Sequence, residues 1–147
     1  MTAKEYLNRI RFISAGLRVK EQELQQLESD LYAIQSVDTS RERIDGGIPI
    51  SMADKVARIR DMQIVINKEW DQLLDLRKEA RERIMQLEDG RFRAVLTERY
   101  LNNKRWEQIA VDMNYTYRNV IKIHGKALHQ FEIQFKEFLE IPYLDVI

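Results

Sequence analysis

The chain has 147 residues, 33% of them charged and 44% hydrophobic, with five glycines, two prolines and no cysteine. This composition favours an all-α protein with long solvated helix faces. The lack of cysteine excludes disulfide bonds and thiolate metal sites, and two histidines argue against a zinc centre. No apolar run approaches the ~18 residues of a membrane span, and no signal-peptide pattern opens the sequence. We therefore expect a cytoplasmic protein that makes no membrane contact.

The charges balance to zero over the whole chain but are distributed unevenly. Residues 1–90 have a net charge of −2, and residues 131–147 have a net charge of −3. Between them, residues 91–130 hold eight basic and three acidic side chains. A basic block between acidic flanks is typical of a module that binds a polyanion, and a solvated basic helix face is the alternative interpretation.

Apolar residues spaced alternately by three and four predict one long helix over residues ~3–35. This heptad pattern holds for about three and a half repeats and is interrupted by one charged residue, Lys20. A second pattern of the same kind runs from Val56 to Leu87 and includes Trp70, which we expect to be structural. The sequence therefore opens with two long helices that each have a narrow apolar stripe.

The segment between the two patterns, residues 36–52, contains Gly46, Gly47 and Pro49, which are unfavourable inside a helix. Two heptad helices joined by a loop are typical of an antiparallel coiled-coil hairpin, here over residues 1–88. A lone hairpin of this kind is marginally stable. We therefore expect self-association, as a homodimer or a higher homo-oligomer.

Shorter helices follow residue 88. We expect Asp89-Gly90 to end the second long helix, because glycine is the usual residue just past a helix end. The last helix is expected to begin at the N-cap residue Thr116 and to extend towards Leu139. Between these points, apolar spacing predicts short helices over Phe92–Tyr100 and Trp106–Met113 and a tight turn at Asn114-Tyr115.

The last helix has two distinct faces when successive residues advance by about 100°. The apolar arc, which we expect to be buried, contains Val120, Ile123, His124, Ala127, Leu128 and Phe131. The opposite row contains Arg118, Lys122, Gly125 and His129, flanked by Asn119 and Lys126 on one edge and Ile121 on the other. A basic row that begins in the first turn suits a DNA-recognition helix. Residues 89–130 therefore predict a helix-turn-helix DNA-binding domain.

Four short stretches of this domain form a pattern: Arg99-Tyr100, WEQIA (106–110), TYRNV (116–120) and Lys126-Ala127-Leu128. Together they resemble region 4 of the sigma-70 family. The middle of the pattern is similar to the sigma-like helix-turn-helix of ArpU- and RinA-type late-gene regulators in phages of Gram-positive bacteria. The resemblance covers about residues 90–132. It implies a regulator of phage or prophage transcription in the cytoplasm of a bacterial host, with RNA polymerase as a candidate partner.

By motif position, the resemblance implies that Arg118, Asn119, Ile121 and Lys122 face the major groove. An arginine can donate to guanine O6 and N7, and an asparagine can pair with adenine. The residues that we expect to bind phosphates of double-stranded DNA are Lys104, Arg105, Lys126, His129, Arg91 and Arg93. One departure from sigma factors is Arg105, which stands where they usually have a small polar residue.

No phosphate-binding loop, nucleophile elbow or dinucleotide fingerprint occurs, so we expect neither an enzyme nor a bound cofactor or metal. Residues 131–147 are expected to extend the last helix and to end in an apolar tail that packs on the hairpin, on a second subunit or on a partner protein. Two other functions remain open. One is a phage small terminase subunit, and the other is a coiled-coil interaction protein that binds a host protein.

Overall fold

The computed structural model describes residues 1–38 and 50–141, and every regular element in these ranges is a helix. The all-α class is therefore confirmed for this part of the chain. Most of the predicted loop at 36–52 and the predicted tail beyond residue 141 lie outside the described residues. In chain order the elements are α1 (Ala3–Asp38), α2 (Ile50–Met85), α3 (Gly90–Leu96) with a π-helical continuation (Thr97–Leu101), α4 (Trp106–Met113), α5 (Tyr117–Gln134) and α6 (Lys136–Leu139).

The chain divides into two compact units. One unit contains residues 1–14 together with the chain from Leu73 onwards, and the other contains residues 15–72. The predicted boundary at residue 88 falls inside the first of these units. Among the described helices, none combines the length and the hydrophobicity that are needed to cross a bilayer.

Within the unit of residues 15–72, α1 and α2 lie side by side. Trp70 Nε1 donates to Glu21 Oε1 at 2.6 Å, and Gln63 Nε2 donates to Glu28 Oε1 at 2.5 Å. The later residue of α1, Glu28, contacts the earlier residue of α2, Gln63, so the two helices are antiparallel. This direction agrees with the predicted hairpin, whose coiled-coil character stays a prediction.

Lys20, the charged residue in the first heptad pattern, has an acidic partner. Its Nζ donates to both carboxylate oxygens of Glu69 at 2.9 Å. The pair is exposed to solvent, so it satisfies the ammonium group while contributing little net stability. Among the described residues of this unit, the buried apolar side chains are Leu17, Leu24 and Ile66. The buried stripe is therefore narrow, as the heptad spacing predicts.

The start of α3 differs from the prediction. The sequence predicts that Asp89-Gly90 ends the second long helix, but α2 ends at Met85. Asp89 is instead the N-cap of α3, where its Oδ1 accepts a hydrogen bond from Arg91 N at 2.8 Å. A capping aspartate satisfies a free N–H group at a helix start, and this contact explains why the Asp-Gly pair begins a helix here.

The end of α3 winds into a π-helical turn. Asn102 N donates to Thr97 O at 3.0 Å, so this hydrogen bond spans five residues instead of four. The wider turn accommodates one extra residue, and the adjacent side chains Tyr100 and Leu101 are both buried. Apolar spacing predicts only an ordinary helix at this point, because a single π turn has no period of its own in the sequence.

The predicted turn between α4 and α5 is confirmed. Asn114 adopts a left-handed conformation (φ 57°, ψ 42°), and Tyr115 N donates to Ala110 O at 2.9 Å. Thr116 Oγ1 then caps α5 by accepting a hydrogen bond from Asn119 N at 3.1 Å. Asparagine tolerates the left-handed region and threonine is a good N-cap, so the residue types explain both sides of the turn.

The last helix does not continue unbroken to Leu139, contrary to the prediction from the sequence. The helix is interrupted at Phe135, which leaves the helical conformation (φ −115°, ψ 29°), and α6 is a separate short helix. After this break, Phe138 meets the ring of Tyr6 edge-on at 5.3 Å between centroids. The guanidinium of Arg83 lies 3.3 Å from the Phe138 ring centroid. Aromatic and cation–π packing against α1 and α2 thus accompanies the departure from a straight helix.

His124 lies in the core, as predicted, and has a hydrogen-bond partner there. Its Nε2 is 2.7 Å from Tyr100 OH, and the Trp106 ring packs edge-on at 4.5 Å between centroids. Burial, reinforced by the positive charges of Lys4 and Arg99, lowers the pKa of His124 to about 4. Burial also raises the pKa of Tyr100 to about 12. Both side chains are therefore neutral near neutral pH.

The lowered pKa of His124 predicts a pH-dependent stability. A histidine in the unfolded chain binds a proton below about pH 6.5, whereas folded His124 stays neutral down to about pH 4. The free energy of unfolding should therefore fall as the pH is lowered through this window. The loss should be smaller in a His124→Gln variant, which lacks the titrating group. Denaturant unfolding followed by circular dichroism at both ends of the window measures the difference.

His129→Gln is the matched control for this experiment, because His129 is exposed on the same helix. Its stability should follow the wild-type pH profile. The carboxylates of the chain contribute equally to all three proteins, so the comparison isolates His124. An identical loss of stability in wild type and His124→Gln would show that His124 is not held neutral in the folded state.

Candidate nucleic-acid interface

The structure arranges α5 with one buried face and one exposed face, as the helical wheel predicts. The buried side chains are Val120, Ile123, His124, Ala127 and Phe131, with Leu128 half-buried. The exposed side is formed by Arg118, Asn119, Ile121, Lys122, Gly125, Lys126 and His129. The buried face packs against α3 and α4, and the exposed residues are therefore directed to solvent.

The cations on the exposed side of α5 are not paired with acidic side chains of the described residues. Within the part of the chain that the structure describes, Arg118, Lys122 and Lys126 form no ion pair. The only acidic residue of α5 is Glu132, whose Oε1 accepts a hydrogen bond from Ala3 N at 3.0 Å. The three cations follow one another at intervals of one helical turn, so the helix presents a continuous positive edge.

The residues predicted to read bases share the first turns of α5. We call Arg118, Asn119, Ile121 and Lys122 the reading surface. All four are exposed, and the cap at Thr116 uses only the backbone N–H of Asn119, leaving its amide side chain directed to solvent. The structure therefore brings all four predicted residues together on one accessible surface.

The residues predicted to bind phosphates divide into two groups, of which the first is exposed. Lys126 and His129 lie further along the exposed side of α5. Arg105 is the N-cap residue of α4, and its side chain makes no capping hydrogen bond there. Among the described residues, none of these three side chains takes part in an ion pair. Their charges are thus available to an external anion.

Lys104 belongs to the second group, whose members have partners within the chain. Its Nζ forms ion pairs with Glu98 and with Asp112 Oδ2, the latter at 2.9 Å. Hydrogen bonds to these two carboxylates raise the pKa of Lys104. Because its charge is balanced by two acids, Lys104 links the π-helical turn to α4 and has less attraction for a phosphate than an unpaired lysine.

Arg91 and Arg93 also have partners, close to the start of α3. Arg91 Nη2 pairs with Asp89 Oδ2 at 2.8 Å, and hydrogen bonds from Arg91 lower the pKa of Asp89 to about 2. Arg93 Nη1 donates to Leu87 O at 2.5 Å and to Glu88 O at 2.9 Å. Both guanidinium groups therefore stabilise the connection between α2 and α3.

Arg99 is a cation near this surface that sequence reasoning did not assign to it. Its guanidinium lies 4.3 Å from the Trp106 ring centroid, and Nη1 donates to Lys104 O at 3.0 Å. Burial and the positive charge of Arg11 lower the pKa of Arg99. Arg11 belongs to α1, so no local sequence signal could have linked it to this region.

Comparison with known proteins does not assign a function to this surface. No family model matches the chain, and no curated protein and no solved structure matches it. Within residues 1–38 and 50–141, no group of three His, Asp or Glu side chains is placed to hold a metal ion. The features that bear on function are therefore the exposed cations of α5 and the elements that hold them.

Proposed function

We propose that the chain is a sequence-specific DNA-binding regulator of transcription that acts on phage or prophage late genes. The observation that carries the proposal is the exposed side of α5. There Arg118, Lys122 and Lys126 have no ion-pair partner among the described residues, while the opposite face is buried. A helix of this kind fits the major groove in width and complements the negative charge of the duplex.

The connection between α4 and α5 supports this proposal. A DNA-binding helix-turn-helix needs two helices joined by a short turn, with the polar side of the second helix exposed. The turn at Asn114, the cap at Thr116 and the exposed reading surface meet these requirements. The resemblance of residues 90–132 to sigma-70 region 4 and to ArpU- and RinA-type regulators suggests the promoter context, with RNA polymerase as a candidate partner.

In this proposal, the cations of α5 act on different parts of the duplex. Arg118 and Asn119, in the first turn, contact the edges of guanine and adenine, and Lys122 follows one turn later. Lys126 and Arg105 bind phosphates and thereby fix the position of the helix on the duplex. Because a phosphate is the same at every step, only the first group can discriminate between sequences.

The antiparallel helix pair is proposed to join two or more copies of the chain as a coiled coil. Large apolar side chains are exposed on it: Val19, Tyr32, Ile64 and Val65. Exposed apolar groups on two adjacent long helices favour association with another protein surface. A homodimer measured by light scattering would agree with a regulator that binds two half-sites, whereas a large ring would favour the small terminase alternative.

Selection of bound duplexes from a random library tests the proposed function. The full chain and an Arg118→Ala/Lys122→Ala variant are compared, and circular dichroism verifies that both are folded. We expect the wild type to enrich a defined motif and the variant to lose this enrichment, because base-edge contacts carry the sequence information. Enrichment by neither protein would contradict the proposal and direct attention to the helix pair.

Arg118→Ala and Lys126→Ala should weaken DNA binding in different ways. The first should cost about 1–3 kcal/mol on the selected duplex and relax the preference at one base pair. The second should weaken binding to the selected and to a scrambled duplex alike, because it removes a phosphate contact. Fluorescence anisotropy with both duplexes measures the two effects.

Lys104→Ala is the informative comparison for Lys126→Ala. Lys104 is balanced by Glu98 and Asp112, so its loss should reduce affinity less than the loss of the unpaired Lys126. Raising the salt concentration should weaken wild-type binding steeply. The slope of log affinity against log salt concentration should be smaller for Lys126→Ala, which has one phosphate contact fewer. Equal losses on both duplexes for Arg118→Ala and Lys126→Ala would contradict the proposed division of roles.

Gly125 offers a separate test, because a Cβ atom added there would meet nothing within 4 Å. The glycine is therefore not required for close packing against a neighbouring helix. Gly125→Ala should raise the free energy of unfolding by up to about 1 kcal/mol, since alanine is the better helix former. It should nevertheless lower the affinity for DNA, because the added methyl group separates the exposed helix backbone from the sugar-phosphate chain.

Gly16→Ala in α1 is the matched control, since a Cβ atom at Gly16 also meets nothing within 4 Å. This variant should gain similar stability and bind DNA as the wild type does. Thermal unfolding and anisotropy together separate the two effects. Wild-type affinity in Gly125→Ala would show that the helix does not approach the DNA backbone closely at this residue.

A further inference from the structure

Two exposed side chains beside the cations of α5 can make apolar contacts. Tyr117 is 50% exposed and Ile121 is 37% exposed. Because they are four residues apart, they form a short stripe along the helix, and Arg118 and Lys122 form a parallel stripe next to it. The stripe borders the buried face of α5, and the exposed parts of both side chains are directed to solvent.

The charge around the stripe indicates what it contacts. Arg118 and Lys122 have no ion pair among the described residues, so a surface that is negatively charged as well as partly apolar would complement this part of α5. The major groove offers both properties, because phosphates line it and each thymine projects a 5-methyl group into it.

We propose that Tyr117 and Ile121 contact thymine 5-methyl groups, so that the DNA site contains thymines beside the base contacted by Arg118. This inference rests on the proposed DNA-binding function and adds the class of base that is read. Side chains four residues apart are separated by about 6 Å along the helix, compared with about 3.4 Å per base step. The two side chains therefore address thymines one or two base pairs apart.

Replacing thymine by 2′-deoxyuridine tests the contact directly. Deoxyuridine keeps every hydrogen-bonding atom of thymidine and lacks only the methyl group. The probe is the duplex enriched by the wild-type chain, synthesised with thymine or with deoxyuridine at each position in turn. Where a methyl group is buried against the protein, its removal should weaken binding about fourfold, from a burial free energy of ~0.8 kcal/mol per methylene-sized group.

Two alanine variants assign the effect to the stripe. Ile121→Ala should bind the thymine and deoxyuridine duplexes with nearly equal affinity at the position that Ile121 contacts, because the side chain that senses that methyl group is gone, and should keep the preference at the position that Tyr117 contacts. Ile133→Ala is the control, since Ile133 is another exposed isoleucine of α5, about three turns away. It should keep the wild-type preference. Comparing ratios within each variant cancels any effect of deoxyuridine on the stiffness of the duplex.

The outcomes separate this inference from the proposed function. A preference for thymine that disappears at one position in Ile121→Ala and persists at every position in Ile133→Ala supports the methyl contact. Tight binding of a selected duplex with no preference for thymine at any position overturns the inference and leaves the DNA-binding proposal intact. If the wild-type chain binds no duplex under any condition, the proposed function and the inference are both overturned.

Discussion

The burial of one face of α5 is the constraint on which the rest of the structure depends. Val120 and Phe131 are both completely buried, and together they fix the rotation of the helix about its axis. Burying a side chain of this size is worth ~1.5–3 kcal/mol, whereas an exposed ion pair is worth ~0–1 kcal/mol. The packing of the buried side chains therefore outweighs the surface charges in setting the rotation of the helix about its axis. The exposure of Arg118 and Lys122 follows from the packing of the opposite face.

Contacts within the chain decide which charges of the basic block can attract a ligand. Lys104 is balanced by two carboxylates, and Arg93 is occupied with backbone carbonyls at the end of the α2–α3 connection. These residues stabilise contacts within the chain, and their partners there reduce their attraction for an external anion. Lys126 has no such partner among the described residues. The charge offered to a polyanion is therefore smaller and more localised than the sum over residues 91–130, and it is concentrated on one side of α5.

Periodicity and local caps were readable from the sequence, and tertiary contacts were not. The two long helices follow from heptad spacing, and the α4–α5 turn follows from Asn114, which tolerates a left-handed backbone, and from Thr116, whose hydroxyl caps the next helix. The prediction for Asp89 is wrong because an Asp-Gly pair suits the end of a helix as well as the start of one. The break at Phe135 accompanies contacts of Phe138 with α1 and α2, which no local spacing in the sequence reveals. At the site, the exposed row of α5 was predictable, whereas the pairing of Lys104 was not, because its partners come from two other elements.

A directional contact orients α5 in addition to its apolar packing. Apolar contacts permit small rotations, but the hydrogen bond between His124 and Tyr100 requires a defined geometry. Protonation of His124 would put a second positive charge near Arg99, which already stacks on Trp106. Burial and this nearby charge therefore both favour the neutral imidazole, and one of its ring nitrogens can accept from the tyrosine hydroxyl. An apolar residue in place of His124 would leave that hydroxyl buried without a partner, at a cost of ~1–3 kcal/mol. The neutral histidine thus ties the π-helical turn to α5 and helps to hold the helix at the angle that exposes its cations.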